Sequence, residues 1–211
     1  MSDTFGLSSS CLNTLKKLNS PKKIQEYLDT LPFNYEKDGE TCMSPVCVMK
    51  EKKAHCIEGA MFAALALMLQ GEKPLLLSLK VKKGVGDYDH VVTLYKKHGY
   101  WGAISKTNHA VLRFRDPVYK SVRELAMSYF HEYFLTSSGE KTMIGYSAPI
   151  NLMRYGARWI TSPDDLFDIA ADIYDMKHNA TIPKVNKKYI TKVTEIERRA
   201  ASIKATTSKT H

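Results

Sequence analysis

The chain has 211 residues, 44% of them hydrophobic and 25% charged, with four cysteines and a formal charge of +9. That is enough apolar material for one substantial α+β domain but not for two, and a chain of this size needs no disulfide staples. No apolar run reaches the roughly 20 residues of a membrane span and no basic leading segment precedes one, so a soluble, cytoplasmic protein with no secretion signal is expected.

Asn19-Ser20-Pro21 has the form of a helix cap with proline at the first helical position. Ile24, Tyr27, Leu28 and Leu31 line one face of the short helix that follows, and Pro32 stops it. From Phe33 to Lys53 the chain is polar and turn-rich except for Val46 to Met49. A long loop is expected there, wrapping the front of a site and supplying substrate contacts.

At Cys56 the character changes. Charged residues give way to an apolar helix expected over 56–70, with Gly71 as its C-cap. Gly59 and the alanines at 60, 63, 64 and 66 keep side-chain bulk low, which lets a sheet approach closely. A cysteine in the first turn meets N–H groups without intrahelical partners, and these favour a thiolate and can receive a developing oxyanion. The alternative is a cysteine buried as a small hydrophobe. Cys42, Cys47, His55 and Cys56 are also zinc-ligand types, but the four-residue gap between Cys42 and Cys47 and the lack of a second pair suit zinc poorly. Neither a metal nor a cofactor is expected.

Leu75 to Val81 reads as an apolar strand after Pro74, residues 82–88 as a glycine-containing connection, and a second strand begins at His90 in Asp-His-Val-Val. Residues 96–100 read as a tight hairpin turn with Gly99 at positive φ, and residues 101–106 as the return strand. The hairpin sets residues 105–108 opposite His90, and its centre decides which of them meets the imidazole. A centre on His98 pairs His90 with Lys106 and puts Asn108 on the histidine's face, whereas a half-residue shift brings Ser105 or Thr107 there. Asn108 is the first choice, because an amide oxygen accepts the imidazole N–H and fixes its tautomer, and Ser105 is the second. Asp87 and Asp89 read as solvated or structural.

Val111 to Asp116 alternates like an edge strand before Pro117, and Arg113 and Arg115 on it stand either as cleft-rim cations or as a solvated face. A helix is expected over 121–134 with its aromatics in the core, a strand over 143–147, and a further helix starting at Ser162-Pro163-Asp164-Asp165, where Ser162 caps and Asp165 closes a capping box, and ending near His178. Residues 184–211 hold eight Lys or Arg against two Glu, so this segment carries +6. The division is therefore one domain over 1–183 and a basic, flexible tail over 184–211.

Cys56 at a helix start, His90 in Asp-His-Val-Val and the following Gly-Tyr-Trp-Gly-Ala-Ile-Ser-Lys resemble the transglutaminase-like branch of the papain-like cysteine protease superfamily, closest to uncharacterised bacterial members. The resemblance covers residues 20–135. It implies a central helix bearing the cysteine packed on an antiparallel sheet, with additional C-terminal helices. It also implies acyl transfer through a thioester, with Cys56 as nucleophile and His90 as base. The branch's usual third residue is an aspartate a few positions after a tryptophan. Counted from Trp101 that position falls on Ser105, so the chain departs from the pattern. Lys50, six residues before Cys56, stands where the papain branch places a glutamine. The expected function is a cysteine-dependent acyl transferase or an amide or peptide hydrolase acting on a peptide, protein or small amide. The alternatives are a catalytically inactive binding or scaffolding module of the same fold, and a basic nucleic-acid-associated protein using its tail. A homodimer through the late helices is a further expectation.

Overall fold

The structure is a computed structural model and describes residues 5–203. Helix α1 (Ser9–Lys17) starts where Ser8 Oγ accepts the Cys11 N–H at 3.2 Å, and α2 (Pro21–Thr30) where Ser20 Oγ accepts the Lys23 N–H at 3.3 Å. Helix α3 (Pro45–Glu51) follows, capped by Ser44, and then α4 (Cys56–Met68), in which every residue from Ile57 to Leu67 is buried. A helix apolar on all sides can only sit inside, and α4 is the central element of the molecule.

Around α4 the chain builds β1 (Leu75–Val81), β2 (His90–Lys97), β3 (Tyr100–Ile104), β4 (Arg115–Tyr119), α5 (Val122–Phe130), β5 (Met143–Ser147), β6 (Ile150–Asn151), α6 (Arg158–Thr161), α7 (Phe167–Asp175), β7 (His178–Ala180) and α8 (Glu195–Ala201). Among the described residues the strands form one antiparallel seven-stranded sheet in the order β4-β3-β2-β1-β5-β7, with β6 pairing the start of β1. The fold is α+β.

The sheet is covered on both faces. Helices α1 to α4, α6 and α7 share a core with Leu76, Val91, Tyr95 and Ile104, while Leu125, Ala126, Tyr129 and Phe130 of α5 pack with Leu77, Leu79, Val92 and Leu94. Two contacts fix α4 to the sheet. Thr93 Oγ1 donates to the Ala60 carbonyl at 2.6 Å, and Gly59 leaves room for Lys106, whose Cβ would lie 2.3 Å from any Cβ placed at position 59.

Several expectations need correction. Residues 33–53 are not a single loop, since Ser44-Pro45 opens α3 by the same cap-and-proline signal that opens α2. Helix α1 was not anticipated. The edge strand β4 begins two residues after Arg113 and runs through Pro117, which an edge tolerates, while residues 110–112 form a 3-10 turn. Ser162 does not start a helix but ends α6, and Asp165 Oδ1 accepts the Cys42 N–H at 2.7 Å instead of closing a capping box. Helix α7 starts at Phe167 and stops at Asp175, and His178 begins β7. Of the basic segment, residues 193–203 lie against the body: the Val193 N–H donates to the Gly139 carbonyl at 2.9 Å, Arg198 to the Ser137 carbonyl at 2.7 Å, and Ala201 is buried. Residues 204–211 lie outside the described residues.

Candidate active site

Where β1 ends and β2 begins, a cavity of about 930 Å³ opens between the two covering layers. Cys56 at the first turn of α4 and His90 at the first residue of β2 both line it, with Tyr133 from beyond α5 and Tyr174 from α7. Cys56 keeps partial exposure.

The hairpin settles how His90 is held. Its turn residues are His98 and Gly99, both at positive φ, as a tight two-residue turn requires, so the hairpin centre lies between them. With Lys97 opposite Tyr100 and Thr93 opposite Ile104, Ser105 falls within reach of His90, and the two meet at 2.8 Å through Nε2 and Oγ. The Ser105 hydroxyl donates its single proton to the Leu112 carbonyl at 2.7 Å. Its Oγ is therefore the acceptor toward the ring, the proton of neutral His90 sits on Nε2, and Nδ1 is left with a lone pair. Ser105 is itself clamped: its N–H donates to Gln25 Oε1 and its carbonyl accepts from Gln25 Nε2, both at 2.9 Å.

Burial works against ionisation of Cys56, but hydrogen bonding with His55 and His90 and the charges of the two imidazoles outweigh it, so the thiol pKa lies below its ordinary value. Sequence reasoning treated His55 only as a zinc ligand and missed this second imidazole. The signal was present in the spacing His55-x-x-Glu58, a cap position followed by an acid at the third helical residue. The His55 N–H donates to Glu58 Oε2 at 2.8 Å, and the ring Nε2 lies 3.0 Å from the Thr41 carbonyl and 3.3 Å from Glu58 Oε1.

The remaining sequence candidates are distributed as follows. Asn108 lines the cavity, but its Nδ2 donates to Tyr35 Oη at 2.9 Å, and the His90 Nε2 hydrogen bond goes to Ser105. Asp89 pairs with Lys80 at 2.6 Å and accepts the Val81 N–H, and Asp87 accepts from Thr142, so both hold the 82–88 connection. Arg113 pairs with Asp29 at 3.1 Å and Arg115 with Glu132, so both are tied into the fold. The Lys50 side chain is exposed on α3. Cys47 Sγ donates to the Ser162 carbonyl at 3.4 Å, Cys42 is buried, and among the described residues no three His, Cys, Asp or Glu side chains converge as metal ligands. No described helix is long and apolar enough to cross a membrane.

No protein-family model matches the chain, and no curated protein matches it.

Proposed function

We propose that the protein is a cysteine-dependent acyl transferase or amide hydrolase of transglutaminase-like, papain-like type, with Cys56 as nucleophile, His90 as base and Ser105 as the residue that orients it. The observation that carries this reading is the hydrogen-bond chain from His90 Nε2 through Ser105 Oγ to the Leu112 carbonyl, which assigns the ring proton to Nε2 and leaves Nδ1 as the basic nitrogen in a cavity shared with a helix-start thiol. His90 Nδ1 takes the thiol proton. The thiolate attacks the amide carbonyl carbon, an S–C bond forms, and the carbonyl π pair moves onto oxygen, where first-turn N–H groups of α4 receive it. Collapse of this adduct breaks the C–N bond, and the amine leaves with the proton from His90. Water or a second amine then gives a proton to His90, attacks the thioester and releases Cys56.

The test is site-resolved iodoacetamide labelling of the native protein from pH 5 to 9. Cys56 is expected to label faster than Cys11, with a midpoint below the roughly 8.5 of a free thiol. Labelling of Cys56 only on unfolding, or no faster than Cys11, would end the reading in favour of a binding module.

A further inference from the structure

Cys56 has two imidazole neighbours, and their surroundings differ in kind. The partner of His90 Nε2 is a neutral hydroxyl. The His55 ring faces two carboxylates, Glu58 Oε1 at 3.3 Å and Glu36 Oε1 at 3.7 Å, together with the Thr41 carbonyl at 3.0 Å. Glu58 has no exposed surface. Its oxygens accept from the Met43 N–H at 3.0 Å, Thr41 Oγ1 at 2.8 Å, the His55 N–H at 2.8 Å and Asn34 Nδ2 at 3.3 Å, an arrangement suited to an anion and wasted on a neutral acid. A buried anion of this kind needs a cation beside it, and His55 is the one provided.

Building on the Cys56–His90 reading, we propose that the two histidines divide the work: His55, held as a cation by buried Glu58, is the standing counter-ion of the Cys56 thiolate, and His90 alone carries protons. His55 keeps its proton throughout. The proton lost by Cys56 passes to His90 Nδ1 and from there to the departing amine, so the reaction balances without His55 changing state. For the His55–Glu58 pair the directions of the shifts agree, Glu58 being lowered against the effect of burial by its bonds to His55 and His55 raised against burial by Cys56 and Glu58, while the thiol itself is lowered by both His55 and His90, whose shares the variants below separate. The other titratable groups about the thiol, Cys42, Tyr133 and Tyr174, are pushed up by burial and stay neutral, and Asp89 is neutralised by Lys80.

The roles separate under alkylation, which needs a thiolate but no proton donor. The experiment is iodoacetamide labelling of Cys56 across pH 5 to 9 in wild type, His55→Gln, Glu58→Gln and His90→Ala, with Cys11 as the internal reference and thermal unfolding as the check on folding. His90→Ala is expected to keep a midpoint below about 8.5, whereas His55→Gln and Glu58→Gln move it up by a unit or more, an approximately tenfold loss of labelling at pH values below the wild-type midpoint. Should Glu58→Gln fail to fold, His55→Gln decides, since its amide still offers a donor to the Thr41 carbonyl. A midpoint that rises in His90→Ala and stays put in His55→Gln overturns the proposal and makes His90 the counter-ion. Wild-type Cys56 that resists labelling in the folded protein overturns the enzyme reading itself, which a result confined to the variants cannot do.

Discussion

The Ser105 hydroxyl has one proton, and the Leu112 carbonyl takes it, so what His90 receives from Ser105 is an acceptor and a fixed tautomer but no charge. An aspartate in this place would set a negative charge beside the imidazole, whereas the hydroxyl only orients the ring and leaves Nδ1 as the nitrogen that can pass a proton. Ser105→Ala is expected to lower amide turnover by ~10- to 100-fold through loss of ring orientation, while iodoacetamide labelling of Cys56 at pH 8 changes little. Asn108→Ala provides the contrast. It removes only the bond to Tyr35 and should leave turnover within a few-fold of wild type if substrate does not use that amide. Equal losses in both variants would mean that the cavity wall, and not the tautomer, is what Ser105 supplies. Which of the two residues met His90 was undecidable from the sequence for a physical reason: the hairpin centre at His98 or between His98 and Gly99 differs by half a residue, and that step exchanges the residues opposite the histidine. The pair Cys56 and His90 was legible because each marks the start of an element. His55 was legible only in part: the spacing to Glu58 marks the cap, but Glu36 and Thr41, which also face the ring, arrive from a segment whose path no local pattern sets.

At the scale of elements, the site is a joint between α2, α4 and the β2-β3 hairpin. Gln25 of α2 reaches Ser105 with both ends of its amide, in the manner of a neighbouring strand, and so places the hydroxyl that orients His90. Gln25→Leu leaves a buried N–H and a buried carbonyl of Ser105 without partners, each worth about 1–3 kcal/mol, and is expected to lower both the unfolding midpoint and turnover. Loss of stability with turnover unchanged would show that Ser105 is positioned by the hairpin alone. Helix α4 meets the same hairpin at Gly59, where a methyl group would stand 2.3 Å from Lys106 Cβ and 2.8 Å from its Cγ. Lys106 cannot swing aside freely, because its ammonium donates to the Leu28 carbonyl at 2.8 Å and to the Leu31 carbonyl at the end of α2. Gly59→Ala should therefore cost about 2–3 kcal/mol or more in urea unfolding, despite alanine's better helix propensity. A neutral result would mean that α4 shifts as a body. The sequence announced α4, β1 and the hairpin through apolar runs and turn chemistry. It misled at Ser162-Pro163-Asp164-Asp165, where the cap-like residues serve the end of one helix and the Cys42 amide, and it understated Ser44-Pro45, whose helix is seven residues long. In both places a local signal competes with a tertiary partner that lies more than a hundred positions away, Cys42 for Asp165 and Ser162 for Ser44.

For the molecule as a whole, the buried ionic groups about α4 set a stability profile against pH that the surface charge does not. Glu58 has a folded-state pKa below its ordinary 4.5, so the unfolded chain binds its proton first as pH falls, and the stability Glu58 contributes is present above that value and lost below it. His55 is raised from 6.5 to about 11, so its contribution is full below pH 6.5 and drains away as pH rises toward 11. Lys106 has the opposite sign. Burial lowers it from 10.5 to about 8, so folding carries the cost of a desolvated cation below pH 8 and recovers it between 8 and 10.5. The alkaline side is thus a compensation between His55 and Lys106, and the acid side has no such offset among these three groups. Melting temperature is expected to fall steeply as pH drops below about 4.5 and to change little from pH 7 to 10, because the Cys56 thiol, lowered from 9.0 to about 6, adds stability between those values and offsets the decline of His55 before Lys106 takes over. In Glu58→Gln the acid limb should flatten while overall stability drops by about 3–5 kcal/mol, the usual consequence of breaking a buried pair. In Lys106→Met the compensation is gone and the alkaline limb should steepen. Melting curves from pH 3 to 10 on the three proteins distinguish these effects: an alkaline limb in Lys106→Met that runs parallel to wild type would place the lysine near its ordinary pKa, and with it would go the view that the crossing of α4 and the hairpin buries a charge to hold the end of α2.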